Sequence, residues 1–174
     1  MGTLSLKDVC FVYEDLDSSK RRRPAFEDIA EEDLVLKHLD LEVAAGEFVC
    51  LVGHSGCGKS TTLRILAGLQ KPIHGEISIN GKPLDGCGLD RSVVFQNYSL
   101  FPWMTAKKNI EFGINQASVE LDRKLGKAEI SAIADEYLAR VNMSKAADLY
   151  PYQLSGGMQQ RIAIARALAM DTET

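Results

Sequence analysis

The chain has 174 residues, 45% of them apolar and 25% charged, with a net charge of −4. That is ordinary globular composition and long enough for one buried core. No run of 18 apolar residues exists, so no helical membrane span is expected, and residues 1–5 lack the basic and apolar regions of a secretory signal.

Residues 3–13 carry Leu4, Leu6, Val9 and Phe11 and read as a strand with one irregularity. Residues 14–33 then hold eight acids and four bases, and the rest of the chain is neutral. This stretch reads as a solvated surface excursion. Its basic run, Lys20-Arg21-Arg22-Arg23, is flanked closely by acids that cancel its field, so no nucleic-acid partner is expected. A second extended stretch covers residues 34–43 and ends at the turn Ala44-Ala45-Gly46-Glu47. Residues 48–52, Phe-Val-Cys-Leu-Val, form a continuous apolar run, as expected for a strand buried on both faces. Residues 61–69 carry Leu63, Leu66 and Ala67 at helical spacing, and Gly68 and Pro72 mark the end.

Residues 75–81 alternate as a short strand closed by the turn Asn80-Gly81. Together the strands outside residues 48–52 suggest an antiparallel layer beside a core built on residues 48–52. Residues 92–95 read as a further buried strand ending at Gln96. Residues 127–141 give the cleanest helix, with Ile130, Ile133, Ala134, Tyr137, Leu138 and Val141 on one stripe. A last helix begins at Ser155 as N-cap and runs to Met170. The cysteines, Cys10, Cys50, Cys57 and Cys87, form no C-x-x-C pair, so reduced thiols in a cytosolic chain fit best. His38, His54 and His74 show no ligand spacing with one another or with cysteine, so no metal site made of protein side chains alone is expected.

Between the apolar run and the helix stands Gly53-His54-Ser55-Gly56-Cys57-Gly58-Lys59-Ser60, which fits G-x-x-x-x-G-K-[ST]. The glycines let backbone wrap a polyphosphate without side-chain clash. The wrapped N–H groups make an anion-binding concavity, and the helix start adds its positive end. Lys59 supplies a point charge for the β- and γ-phosphates, and the Ser60 hydroxyl suits Mg²⁺. Far along the chain, Leu154-Ser155-Gly156-Gly157-Met158-Gln159 places two glycines directly after a helix N-cap. They expose backbone N–H groups and a hydroxyl at a second positive helix end. Two phosphate-binding ends on one chain suggest a nucleotide sandwiched between two subunits.

With both motifs in place the sequence resembles the ATP-binding subunits of ABC transporters. Residues 154–159 match that family's signature. Gln96, before Asn97-Tyr98-Ser99-Leu100-Phe101-Pro102-Trp103-Met104-Thr105, matches its Q-loop, and Tyr13 sits where the family keeps an aromatic that stacks on adenine. The resemblance implies an α/β fold: a P-loop NTPase core, an antiparallel β subdomain and an α-helical signature subdomain over about residues 97–160, incomplete at the C-terminus. It implies that ATP and Mg²⁺ are bound. Residues 53–61, Gly53 through Thr61, would cradle the phosphates. Ser60 and Gln96 would ligate Mg²⁺, and Gln96 would help position the attacking water. Ser155, Gly156, Gly157 and Gln159 would face the nucleotide of a second ATP-binding subunit, in a homodimer. Residues 97–110 would dock on a transmembrane permease at the cytoplasmic face of the membrane, with a solute-binding protein as an indirect partner. Residues 53–61 and 95–105 look most like the importer branch for nitrate, sulfonates and taurine.

That family continues past the signature helix with an apolar strand ending in Asp-Glu and a His-bearing switch. No such strand occurs in this sequence, because Asp90 and Asp171 lack the preceding apolar run. The 174 residues are therefore expected to be the N-terminal portion of such a domain and, alone, a poor ATPase. The missing strand would lie beside residues 48–52, so its loss would leave an apolar edge unpaired. The alternative is a non-catalytic nucleotide-binding protein that keeps both motifs. A kinase or GTPase is disfavoured by the signature and by the lack of Asn-Lys-x-Asp.

Overall fold

The computed structural model describes residues 2–13 and 25–170. The acidic and basic residues at 14–24 lie outside the described residues, as does Asp171. The chain divides into two compact units with a boundary between Gly88 and Leu89.

In the first unit, alternating apolar residues build a four-stranded antiparallel sheet: β1 (Leu4–Phe11), β2 (Leu36–Val43), β3 (His74–Ile79) and β4 (Lys82–Pro83). The spatial order is β2-β1-β3-β4. Leu6, Val9, Phe11, Leu36 and Ile77 share one core with Ile65 of helix α1 (Lys59–Leu66). The expected Asn80-Gly81 turn forms between β3 and β4, with both residues at positive φ (52° and 72°), as a two-residue hairpin requires. Helix α1 differs from its expected stripe. It buries Thr61, Thr62 and Ile65 and leaves Leu63 exposed.

The irregularity foreseen in β1 is real and is shared by its neighbours. Register shifts fall between Leu6 and Val9 against β2, between Val9 and Phe11 against β2, and between Lys7 and Cys10 against β3. Asp8 and His38 take positive φ (54° and 47°) at these bulges. Two side chains meet the backbone N–H groups freed there. Asp8 N–H donates to Asp40 Oδ1 (2.8 Å) and His38 N–H to Cys10 Sγ (3.3 Å). Opposite Asp8, Gly75 has φ 92°, and a Cβ there would stand 2.3 Å from the Asp8 carbonyl oxygen, so only glycine fits. Residues 25–33 carry two short 3₁₀ turns, Phe26–Asp28 and Glu31–Asp33, and the Phe26 ring stacks on His74 with centroids 4.3 Å apart.

Two expected strands are absent. Residues 48–52 and 92–95 take no strand structure, and Phe48 and Val52 are 89% and 91% exposed. The physical reason is pairing. An extended run becomes a strand only when a neighbour accepts its N–H groups and donates to its carbonyls, and no strand among the described residues pairs with either segment.

The second unit is helical: α2 (Ala106–Glu120), α3 (Lys127–Arg140) and α4 (Gly156–Ala169) pack pairwise. The stripe read on α3 faces inward through Ile130, Ala134 and Leu138, with Ile133, Tyr137 and Val141 flanking. Ile110 and Ile114 of α2 and Ile162 and Ala165 of α4 complete this core. At Gly113 the close approach of α2 and α4 leaves no room for a side chain, since a Cβ would meet Arg166 Cγ at 2.9 Å.

A buried amide organises the segment before α2. Asn109 is fully buried; its Oδ1 accepts from Phe101 N–H (2.8 Å), and its Nδ2 donates to the carbonyls of Phe101, Met104 and Thr105 (3.2, 3.2 and 3.0 Å). This clamp fixes residues 101–105 and leaves Trp103 69% exposed at their apex. Asn109→Ala is expected to cost about 2 kcal/mol, because the Phe101 N–H and the carbonyls lose their partner inside the fold. A urea unfolding midpoint unchanged from the parent would contradict that role.

Candidate nucleotide-binding site

The first site is the loop entering α1. Gly56 and Gly58 both hold positive φ (84° and 92°), which turns the loop back over the start of the helix. At Gly58 a Cβ would lie 2.5 Å from Leu36 Cδ2, so β2 packs directly against the loop's exit. No side chain caps α1 at Gly58, and helix-start N–H groups have no intrahelical acceptors. Anion-binding donors at a positive helix end are therefore left open.

Lys59 lies against the loop itself. Its ammonium donates to the Gly53 carbonyl (2.8 Å), to the His54 carbonyl (2.6 Å) and to Cys57 Sγ (3.5 Å). The charge is thus held over the loop by acceptors that phosphate oxygens could replace. His54 Nδ1 lies 2.8 Å from the Ser55 carbonyl, and residues 53–57 are exposed. Ser60 is exposed in the first helical turn, and its hydroxyl makes no side-chain hydrogen bond among the described residues. Thr61 points the other way. It is buried, and its Oγ1 lies 2.8 Å from the hydroxyl of Tyr13. Tyr13 is 47% exposed and stands edge-on to Phe11, with centroids 5.0 Å apart. The structure thus joins Tyr13 to the phosphate-loop helix across 48 residues of sequence.

The second site lies in the helical unit. Ser155 caps α4, its hydroxyl accepting from Met158 N–H at 3.4 Å. Gly157 is open, with nothing within 4 Å of where its Cβ would be. Gly156 is packed under the Tyr98 hydroxyl, which would lie 3.1 Å from an added Cβ. Gln159 is fastened locally: its Nε2 donates to the carbonyls of Pro151 (3.0 Å) and Leu154 (3.1 Å), tying the preceding turn to the helix.

Gln96 is exposed at the end of its segment. The residues after it are bent by two consecutive positive φ values, Tyr98 (61°) and Ser99 (48°). Arg166 of α4 grips this bend. Its guanidinium donates to the Ser99 carbonyl (2.9 Å) and the Tyr98 carbonyl (3.4 Å) and sits 5.8 Å from the Phe101 ring centre. Burial lowers the Arg166 pKa, although a guanidinium stays charged. Arg166 and Asn109 are contributors that sequence reading missed. Asn109 carries a faint signal, as the polar member of an otherwise apolar helical stripe. Arg166 carries none, because it resembles a solvated C-terminal charge.

Comparison with known proteins identifies a family. The ABC transporter family profile matches residues 36–174. The bicarbonate transport ATP-binding protein CmpC of Synechococcus elongatus is 52% identical over 138 residues, covering 79% of this chain and 20% of that protein. The nitrate import ATP-binding protein NrtC of a Synechocystis species is 47% identical over 136 residues, with 78% and 20% covered. Among solved structures, a dimeric ATP-binding cassette in a post-hydrolysis state, bound to ADP and Pi, superimposes with a TM-score of 0.77 at 32% identity, covering 97% of this chain and 70% of that one. The chain spans about a fifth of the length of these two transport proteins. With the phosphate loop, the signature helix and this breadth of similarity together, the chain belongs to the ATP-binding domains of ABC transporters.

Proposed function

We propose that this chain is the nucleotide-binding part of an ABC importer that couples ATP binding and hydrolysis to uptake of a small anion such as nitrate, bicarbonate, a sulfonate or taurine. The observation that carries the nucleotide reading is the uncapped start of α1 beneath the Lys59 ammonium. The anion reading rests on relatives whose names state bicarbonate transport and nitrate import.

In this reading Lys59 exchanges its carbonyl acceptors for β- and γ-phosphate oxygens, and the loop amides take the rest of the polyphosphate. Ser60 and Gln96 offer the uncharged oxygens that Mg²⁺ accepts, and the Ser60 hydroxyl has no competing side-chain bond among the described residues. The ion's contribution, when bound, is to neutralise phosphate charge. Gln96 also orients the attacking water. The second phosphate-binding end, Ser155 to Gly157, faces the nucleotide of another copy of the chain, so two subunits close on two nucleotides. Ser155 can serve there while capping α4, because its hydroxyl accepts from Met158 and still has a proton to donate. Gln159 acts by holding that turn in shape. Residues 97–110 dock on a membrane-embedded permease. The Asn109 clamp would present Trp103 there, and a solute-binding protein would deliver the anion to the permease from the other side.

Tyr13 stacks on adenine, and its bond to Thr61 holds the ring at the phosphate-loop helix. Tyr13→Ala is expected to weaken ATP binding roughly tenfold, from a stacking contact of about 1–3 kcal/mol. Tyr13→Phe keeps the stacking ring and loses only the bond to Thr61, so it should bind clearly tighter than the Ala variant. Titration with a fluorescent ATP analogue measures both. Equal affinities for Ala and Phe variants would leave Tyr13 without a ligand role.

A further inference from the structure

Away from the phosphate loop, three strands are bent at one level. β1 bulges at Asp8, β2 bulges at His38, and β3 reverses φ at Gly75, beside His74. Distortions that coincide across neighbouring strands re-aim side chains. Here they converge on one spot. His38 Nδ1 lies 2.5 Å from Asp8 Oδ1, and His74 Nε2 lies 3.1 Å from Asp8 Oδ2. Cys10 is wholly buried beside them. One ligand atom each from Asp8, Cys10 and His38 falls within 4.8 Å of the others. Phe26 stacks on His74 and meets His38 edge-on at 6.2 Å, which fixes both rings. Sequence spacing does not reveal this group, because Asp8 and Cys10 stand on β1 and His38 on β2.

We propose that Asp8, Cys10 and His38 bind one zinc-class divalent ion, with His74 holding the outer oxygen of Asp8. The donor set is one carboxylate oxygen, one sulfur and one imidazole nitrogen. Sulfur and nitrogen donors suit zinc and disfavour Mg²⁺ and Ca²⁺, which take oxygen. A carboxylate and a thiolate neutralise a dication, so the site closes without net charge. Binding displaces the Cys10 thiol proton to solvent, while the His38 Nδ1 proton moves to Nε2 so that neutral imidazole ligates. The half-exposed Asp8 and His38 side chains give the ion a path from solvent. Three protein ligands leave a fourth position for water. His74, donating to Asp8 from behind, is the kind of outer partner whose loss weakens metal binding about 10–100-fold.

The test is competition of Zn²⁺ against a chromophoric chelator on the 174-residue chain, followed by Co²⁺ substitution. One ion per chain is expected, with a thiolate-to-cobalt absorption and a raised thermal midpoint on the unmodified chain. Cys10→Ala should abolish that absorption, while Cys87→Ala keeps it. His38→Asn, whose new side chain tolerates positive φ, should weaken Zn²⁺ by at least about 100-fold, and His74→Gln by about 10–100-fold. Excess Mg²⁺ should not displace the ion. Failure of the unmodified chain to take up Zn²⁺, or a cobalt spectrum without a thiolate band, overturns the proposal whatever the variants do. So does a folded His38→Asn variant with parental affinity.

Discussion

Lys59→Ala is expected to weaken Mg-ATP binding by one to two decades. In the proposed reading the ammonium is a charge-assisted donor to phosphate, and such bonds contribute on the order of 1.5–3 kcal/mol. The loss is smaller than the bare phosphate contact, because the ligand-free chain already occupies this charge. Gly53 and His54 carbonyls accept from it at 2.8 and 2.6 Å, and those bonds are given up when phosphate arrives. The same geometry predicts a second effect. Without Lys59 the residues 53–57 lose their internal tie, so the variant should show faster amide exchange in that loop before any ATP is added. Lys59→Arg keeps the charge, but a planar fork cannot reproduce a compact ammonium over two carbonyls, so partial rescue is expected. Isothermal titration with ATP decides the matter. Parental affinity in a folded Lys59→Ala chain would remove the phosphate loop from the binding reading.

The phosphate loop was legible from sequence because its chemistry is local. Gly56 and Gly58 are needed at positive φ, Lys59 stands three residues after Gly56, and the helix follows at once. The signature turn was legible for the same reason, with Ser155 capping α4 as expected. The antiparallel sheet could be read from the alternation in β1 and β3 and from Asn80-Gly81. Helix α2 was not foreseen. Its stripe of Ala106, Ile110, Ile114 and Ala117 is regular, but Gly113 and the buried Asn109 interrupt the pattern. Both residues have packing reasons that only the folded chain reveals: the approach of Arg166 in one case and the clamp on residues 101–105 in the other.

Residues 48–52 and 92–95 show the opposite limit. Their apolar runs satisfy the pattern for a doubly buried strand, yet pattern states only what a segment would bury. Whether it becomes a strand depends on a neighbour to exchange hydrogen bonds with, and that neighbour is a property of the rest of the sheet. The Asp8, Cys10 and His38 group escaped for a related reason. Each residue is unremarkable in its own strand, and bulges in β1 and β2 create the cluster.

Assayed by itself, the 174-residue polypeptide is expected to bind ATP but release phosphate slowly. Binding and turnover need different groups. In the proposed reading, binding draws on Lys59, the loop amides and Tyr13. Turnover also needs an activated, positioned water. In this sequence no apolar run ends in Asp-Glu, the pattern that would carry a base. Asp90, the acid next before Gln96, is engaged by Arg91 at 2.6 Å. General-base assistance is typically worth about 10²–10⁴-fold, which is the deficit expected. A second copy of the same polypeptide brings the signature turn but no base, so dimerisation does not restore the rate. Fusing a segment that carries an apolar strand ending in Asp-Glu, taken from a longer relative, should raise phosphate release by that factor. In the fusion, Lys59→Ala should then remove it. Phosphate release by the 174-residue polypeptide equal to that of the fusion, and lost in Lys59→Ala, would mean that a carboxylate among these residues already activates the water.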